Sequence, residues 1–274
     1  MPQVSNILIA ITGIAAGGVA NVLADDLPAR QRPRQPHCPY CGHPRHPLAW
    51  LGLGALLSNQ GRCAACSRSL PWRHLAVELT LAAAFVFLWG RYGPSSVGLF
   101  FTLYVWLSVL ITVIDVEHRL ILHVVMGPAI LLALVEAAVT PRLPFLDALL
   151  GGAIGFGVVF GIFVAGEGFR RLLARLRGET IDEVAFGYGD VTLATFAGLV
   201  VGRESIGLTL VLMVFIGGIV AGLFLLYRGI IRRNYSVFTA LPYGPNIIIA
   251  MLVILIWQKD LGVLLRQALY GGGG

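Results

Sequence analysis

Residues 184–202 have the sequence VAFGYGDVTLATFAGLVVG, in which Asp190 is the only carboxylate. As a helix these residues would cross most of a bilayer's hydrocarbon core, because each residue advances a helix by about 1.5 Å. An Asp at the centre of a membrane helix costs about 2.5–3.5 kcal/mol, so such an acid is by default a functional residue with a partner. Asp115 is the predicted partner, because it ends the apolar run Val97–Ile114. The alternative for either Asp is a structural polar contact or a position at the headgroups.

The composition is that of an integral membrane protein. Hydrophobic residues make up 57% of the 274 residues and charged residues 12%, with a mean hydropathy of +0.81, which excludes a water-soluble globule of this length. We predict an all-α polytopic membrane protein with about eight transmembrane helices and a small cytoplasmic four-cysteine zinc-binding segment. The apolar segments are Val4–Leu23, Leu75–Trp89, Val97–Ile114, Val124–Val139, Leu146–Ala165, Phe186–Val201, Ile206–Tyr227 and Ile247–Trp257.

The basic residues predict the orientation. Fifteen of the 20 Lys and Arg residues lie in the stretches 24–74, 115–123, 167–189 and 227–246, which the positive-inside rule assigns to the cytoplasm. Both termini then lie outside, and both aspartates lie at the cytoplasmic face. The net charge of +6 follows from this topology, aided by anionic membrane lipid, and requires no nucleic acid.

Four domains are predicted from these features. They are a retained first transmembrane helix (1–23), a cytoplasmic cysteine segment (24–74), a transmembrane core that holds both aspartates (75–270) and an appended tail of four glycines (271–274). The glycines of 151–168 permit close helix approach. Arg170–Arg177 is predicted to form a separate amphipathic helix on the headgroups.

All four cysteines lie between the first two spans. They form two C-x-x-C pairs, Cys38/Cys41 and Cys63/Cys66, separated by 21 residues. Two such pairs supply the four sulfurs of one tetrahedral zinc ion, and four thiolates leave the ion no open position, so we predict a structural zinc. Disulfides are the alternative, which a cytoplasmic location disfavours.

Three further residues matter for function. Gly187 and Gly189 remove side chains before Asp190, which lets an extended substrate approach the acid. Glu78 lies one turn inside the second span, where we expect it to reach the interface or to accept a hydrogen bond from Arg73.

Together these motifs resemble the type IV prepilin peptidases, bacterial membrane aspartic proteases of the G-x-G-D type, over almost the whole chain. The matching pieces, in family order, are Asn21-Val22 after a glycine-rich first span, Cys38–Cys41, Gly61–Cys66, Glu78, Ile114-Asp115, Gly187–Asp190 and Tyr243–Pro245.

The resemblance implies an endopeptidase of the bacterial cytoplasmic (inner) membrane, with Asp115 and Asp190 as catalytic acids. It would remove the short basic leader of prepilins or pseudopilins at the cytoplasmic face, between a Gly and usually a Phe. Many members also methylate the new N-terminal amine with S-adenosylmethionine, an activity linked to the cysteine segment. Gly61, Arg62 and Glu78 are the candidates for that activity in this chain.

The chain departs from the family pattern in three places. Leu122-His123 stand where the family usually has Pro followed by Asp or Asn, and Ala20 replaces a usual bulky residue. Asp25-Asp26 stand where the family usually has Tyr-Arg. This last departure reverses the charge beside the region that the resemblance links to methyl transfer.

Two other classes of protein compete with a peptidase. In an ion-coupled transporter or channel, the two membrane acids would carry protons or cations and the zinc segment would act as a gate. An assembly factor with an inactive site is the second. Against the transporter, the two halves of the sequence show no inverted repeat.

Overall fold

The computed structural model describes residues 2–30, 32, 37–45, 51–58, 61–177, 187–231 and 242–270, and most of these residues are helical. The helices in these ranges are α1 (Pro2–Asp26), α2 (Gly52–Leu57), α3 (Trp72–Tyr92), α4 (Ser96–His118), α5 (His123–Val139), α6 (Phe145–Arg177), α7 (Tyr188–Val201), α8 (Arg203–Ile231) and α9 (Gly244–Tyr270). Extended segments pair there only as two isolated bridges in the cysteine segment. The all-α prediction is confirmed.

The described part of each apolar segment predicted from the sequence lies on one of these helices, apart from Gly187, which precedes α7. Five of them, α1, α3, α4, α6 and α8, are long and apolar enough to cross a membrane. The helix α5, the helix α7 and Gly244–Trp257 of α9 are shorter apolar helices. The chain is therefore a multi-pass membrane protein, and the count of eight spans stays a prediction.

The helix α7 begins later than the opening stretch suggests. It starts at Tyr188, with Gly187 as an extended N-cap (φ −90°, ψ 164°), and residues 184–186 lie outside the described ranges. The glycines account for this start, because Gly inside a helix costs about 0.5–1 kcal/mol relative to Ala. Asp190 consequently lies in the first turn of α7.

The helix α6, by contrast, runs further than predicted. It continues to Arg177, so Arg170–Arg177 is helical as predicted, but it is the end of α6 and not a separate helix. Glu167 explains the continuity, because it pairs along the same face with Arg170 (2.9 Å) and Arg171 (2.8 Å). Such pairs stabilise a helix by about 0.2–0.5 kcal/mol each.

The chain forms two compact units, residues 1–122 and residues 123–274. The first contains α1 to α4 with the four cysteines, and the second contains α5 to α9. The domain boundaries predicted from the sequence separate membrane from extramembrane segments rather than compact units, and they stay a prediction.

In the first unit, glycines bring α1 and α3 into close contact. A Cβ at Gly13 would lie 2.6 Å from the Cα of Ala82, and a Cβ at Gly17 would lie 2.6 Å from the Cα of Glu78. The Gly-x-x-x-Gly spacing is typical of membrane helices that pack backbone to backbone. Larger residues at these positions would push the two helices apart.

In the second unit, α7 packs on α6 in the same way. A Cβ at Gly198 would lie 2.1 Å from the carbonyl oxygen of Gly151, and a Cβ at Gly155 would lie 2.4 Å from that of Ala194. These contacts confirm the close approach predicted from the glycines of α6. The C-terminal end of α7 is closed by Arg142, which donates to the carbonyl oxygen of Val200 (2.8 Å).

We expect Gly198→Ala to destabilise the protein by about 1–3 kcal/mol, because the added methyl group forces α6 and α7 apart. Thermal unfolding in detergent measures the loss. Gly157→Ala on α6 is the matched control, since a Cβ there meets nothing within 4 Å. Equal melting temperatures for the two variants would contradict the packing account.

Candidate active site and metal centre

Asp190 is held at the start of α7 by its own helix end. The side chain is only 9% exposed, and its Oδ2 accepts the backbone N–H of Gly187 (2.8 Å). The N–H of Asp190 in turn donates to the carbonyl oxygen of Gly187 (3.0 Å). This reciprocal cap fixes the carboxylate at a helix N-terminus, where the helix dipole favours negative charge.

Gly187 leaves the backbone beside this carboxylate open in the part of the chain that the structure describes. Gly187 is exposed, and a Cβ there would meet only Oδ2 of Asp190 at 3.8 Å and the nitrogen of Gly189 at 3.9 Å. Packing against the described residues therefore does not require a glycine at this position. The role of Gly187 and Gly189 in substrate approach stays a prediction.

Aromatic contacts position the same helix end. Tyr188 stacks on His123 of α5, with ring centroids 5.9 Å apart and 17° between the planes, and meets Phe163 of α6 edge-on at 6.4 Å. Such contacts contribute about 0.5–1.5 kcal/mol each. The sequence did not predict these contacts, because they join separate helices and no local spacing indicates them.

Asp115 lies in the last turn of α4 and is 5% exposed. Its carbonyl oxygen accepts the N–H of Arg119 (2.8 Å), which ends the helix in a left-handed conformation (φ 54°, ψ 41°). Asp115 thus belongs to the first unit and Asp190 to the second. Their action as a pair stays a prediction.

The four cysteines come together in the first unit. The Sγ atoms of Cys38, Cys41, Cys63 and Cys66 all lie within 4.8 Å of one another, with separations of 3.7 Å for Cys38–Cys66 and 3.6 Å for Cys41–Cys63. A tetrahedral ion with zinc–sulfur bonds of about 2.3 Å needs sulfurs about 3.8 Å apart, whereas a disulfide needs about 2.0 Å. All four thiols are free, and the cluster fits a tetrahedral metal ion.

Both C-x-x-C pairs use the same backbone turn. The N–H of the first cysteine donates to the carbonyl oxygen five residues on, His43 after Cys38 and Arg68 after Cys63, at 2.9 Å in each case. The residue after the second cysteine, Gly42 or Ser67, has a left-handed φ of 70° or 56°. In each pair, this turn orients the two cysteine sulfurs towards a common position.

The thiols differ in acidity. The backbone N–H groups of Cys66 and Ala65 lower the pKa of the Cys63 thiol to about 6. The N–H of His43 lowers the pKa of the Cys41 thiol, but desolvation and the neighbouring cysteine sulfurs outweigh it and raise that pKa to about 12. A divalent cation would favour the thiolate form at all four positions, because thiolates are its ligands.

Two of the three methyl-transfer candidates line a cavity. Gly61 and Arg62 lie on a cavity of about 440 Å³, together with residues of α2 and the start of α3. The Arg62 side chain is exposed and makes no hydrogen bond or ion pair among the described residues. Among the residues that the structure describes, it is thus a cation that can bind an anionic group.

Glu78 behaves differently from the prediction. It is fully buried, and its two carboxylate oxygens accept the N–H groups of Gly52 (2.6 Å) and Leu53 (2.8 Å). The expected contact with Arg73 is wrong, because Arg73 donates to other carboxylates. The short helix α2, which the sequence did not predict, supplies the donors, and Glu78 thereby holds Gly52 in the wall of the cavity.

Comparison with known proteins identifies the family. A family model described as the type IV leader peptidase family matches residues 101–226, and one described as the bacterial peptidase A24 N-terminal domain matches residues 11–92. Curated relatives named prepilin leader peptidase/N-methyltransferase occur in Pseudomonas putida (29% identical over 237 residues, 86% of this chain and 74% of the relative), in Pseudomonas aeruginosa (26% over 224 residues, 82% and 72%) and in Aeromonas salmonicida (28% over 225 residues, 82% and 72%). No solved structure matches the chain.

The chain therefore belongs to the type IV leader peptidase family, and the resemblance noted in the sequence is confirmed. The first family match contains Asp115 and Asp190. The second contains the four cysteines and the three methyl-transfer candidates. With its apolar helices, the chain is a multi-pass protein of the bacterial inner membrane.

Proposed function

We propose that this protein is an aspartic endopeptidase that removes the leader peptide from type IV prepilins or pseudopilins. The carrying observation is that the family-matched region 101–226 contains the buried aspartates Asp115 and Asp190, each in the terminal turn of an apolar helix. The names of the relatives support the substrate class.

In the proposed mechanism, Asp115 and Asp190 hold one water molecule. One carboxylate takes a proton from the water as it attacks the scissile carbonyl, and the other carboxyl group donates to the developing oxyanion and the leaving amine. Two close carboxyl groups do not both ionise readily, so the pair shares one proton and titrates as a unit. No covalent intermediate is required.

The helix ends support a proposal for which acid holds the shared proton at rest. Asp190 accepts a backbone N–H at a helix N-terminus, which favours its ionised form, whereas Asp115 lies at a helix C-terminus, which favours the neutral form. We expect the protonated-carboxyl infrared band of the wild type near neutral pH to vanish in Asp115→Asn. A band that vanishes only in Asp190→Asn would reverse this assignment.

The distribution of Arg residues supports a cytoplasmic location for both acids and for the cysteine segment. A prepilin whose leader is basic would meet the enzyme on that side of the inner membrane. Membrane lipid is then a partner of the enzyme, with anionic headgroups near the cytoplasmic arginines.

Expression with a prepilin, in a bacterium that lacks its own prepilin peptidase, tests this function. We expect the prepilin to be shortened by the length of its leader, as an immunoblot would show. If the prepilin stays unprocessed and vesicles that contain the purified protein show an ion flux, the result would instead support the transporter. A protein that shows neither cleavage nor ion flux would support an inactive assembly factor.

Zinc is the metal that we propose for the cysteine cluster. Cys38, Cys41, Cys63 and Cys66 would hold it, and with four sulfur ligands its role is structural. A metal of this kind supplies folding energy to a segment too small for a large core.

We propose N-methylation of the new N-terminal amine as a second activity, with S-adenosylmethionine as the methyl donor. The observation that favours it is the cavity with Arg62 on its wall, whose cationic side chain fits the carboxylate of that cofactor. The relatives' names include this activity.

We expect Arg62→Gln to raise the KM for S-adenosylmethionine about 10- to 100-fold, because a hydrogen bond to a charged group contributes about 1.5–3 kcal/mol. Prepilin cleavage should be unchanged. Mass spectrometry of the pilin N-terminal peptide measures both reactions. Arg68→Gln is the matched control, since Arg68 lies over the Tyr40 ring. Equal methylation by the two variants would remove Arg62 from the site.

A further inference from the structure

Three helix ends of the first unit meet at one buried cation. Arg73, in the first turn of α3, has a side chain that is 11% exposed. Its Nη2 donates to Oδ1 of Asp25 at the end of α1, and its Nη1 donates to Oε2 of Glu117 in the last turn of α4 (3.0 Å). Arg suits this position because its planar guanidinium reaches two carboxylates at once.

The α1 side of this junction is held by several contacts. His74 approaches the second oxygen of Asp25 through Nε2 (3.5 Å), and Asn21 donates to the carbonyl oxygen of His74 (3.1 Å). Gly17 packs directly on the α3 backbone. These contacts therefore fix the position of Arg73 relative to α1 and α3.

The α4 side is held differently. Trp106 donates to the carbonyl oxygen of Ala16 (2.9 Å), about three helical turns before the end of α4. At the end itself the Arg73–Glu117 contact joins α4 to α3, and the Glu117 side chain is 38% exposed. This ion pair is thus placed to fix the last turn of α4.

Asp115 belongs to that same turn. Glu117 follows it by two residues, and the N–H of Arg119 closes the turn on the Asp115 carbonyl oxygen. We infer that Arg73 is a positioning residue of the peptidase, which acts through Glu117 to hold the α4 end and its catalytic carboxyl group in place. The inference rests on the proposed function. It also gives Asp25, a departure from the family pattern, a partner of opposite charge.

Steady-state cleavage of a prepilin in vesicles tests the inference with Arg73→Gln, Glu117→Gln and the double variant. We expect each single variant to lower kcat about 10- to 100-fold with KM nearly unchanged, because a shift of about 1 Å in a catalytic group costs about 100-fold. The double variant should be no slower than the slower single variant, since both remove one contact. Arg73→Lys should recover part of kcat, because Lys keeps the positive charge but lacks the planar guanidinium that reaches two carboxylates at once.

His118→Gln is the matched control, because it changes an exposed side chain in the same helix turn and should leave kcat unchanged. A wild-type kcat in Glu117→Gln, or single effects that multiply in the double variant, would overturn the inference.

A readout independent of activity separates this inference from the proposed function. Amide hydrogen exchange over residues 112–119 should be faster in Arg73→Gln and Glu117→Gln than in the wild type and in His118→Gln. Unchanged exchange would overturn the positioning role. Changed exchange in a protein that cleaves no prepilin would leave the junction intact and overturn the proposed function alone.

Discussion

Replacing Asp115 or Asp190 by Asn should abolish prepilin cleavage while the protein still inserts into the membrane. An acid–base group contributes about 10²- to 10⁴-fold to a rate. When two such groups act jointly, removing either one loses nearly the whole of their combined rate enhancement. Initial cleavage rates of the purified variants measure the effect, with thermal unfolding as the check that each variant is folded.

Asp147→Asn is the matched control for this prediction. Asp147 is also an Asp in a membrane helix, in the first turn of α6, but it pairs with Arg203 (2.9 Å). The same chemical change there should leave the cleavage rate within a few-fold of the wild type. Substantial cleavage by a folded Asp115→Asn or Asp190→Asn variant would remove that residue from the mechanism.

The second large effect is expected at the cysteine cluster. Protein purified without chelator should contain about one zinc ion per chain, and Cys63→Ser should contain close to none, because a structural site needs all four sulfurs. Since no step of the proposed cleavage uses the metal, Cys63→Ser should still cleave prepilin. Elemental analysis and the cleavage assay measure the two expectations separately.

Ala64→Ser is the control for Cys63→Ser, because it changes the same exposed turn and keeps all four sulfurs. It should bind zinc like the wild type. A wild-type protein without zinc whose four thiols are free and which cleaves prepilin would overturn the zinc proposal and leave the peptidase proposal standing.

Much of the fold could be predicted from the sequence because the signals are local. Long apolar runs mark membrane helices whatever surrounds them, and the described part of each predicted run lies on a helix, apart from Gly187 before α7. The two C-x-x-C pairs are equally local, since each encodes its own turn, and the structure brings their four sulfurs together.

The rest depends on contacts between distant parts of the chain. From the sequence, Glu78 is predicted to be an interfacial acid. In the structure, α2 places two backbone N–H donors against its carboxylate. In the same way, nothing near Arg73 in sequence indicates that it joins Asp25 to Glu117. The close contact of Gly198 with Gly151 is predictable as a tendency of glycine-rich helices, but the residues that meet are not.

Intact-mass measurement of a purified prepilin, incubated in vesicles with the purified protein, tests the central claim most directly. The account predicts that the wild-type protein shortens the prepilin by its leader, with a glycine at the new C-terminus of the leader, and that the Asp115→Asn/Asp190→Asn double variant leaves it at full length. A prepilin left at full length by the folded wild-type protein, or shortened equally fast by the double variant, would contradict the account.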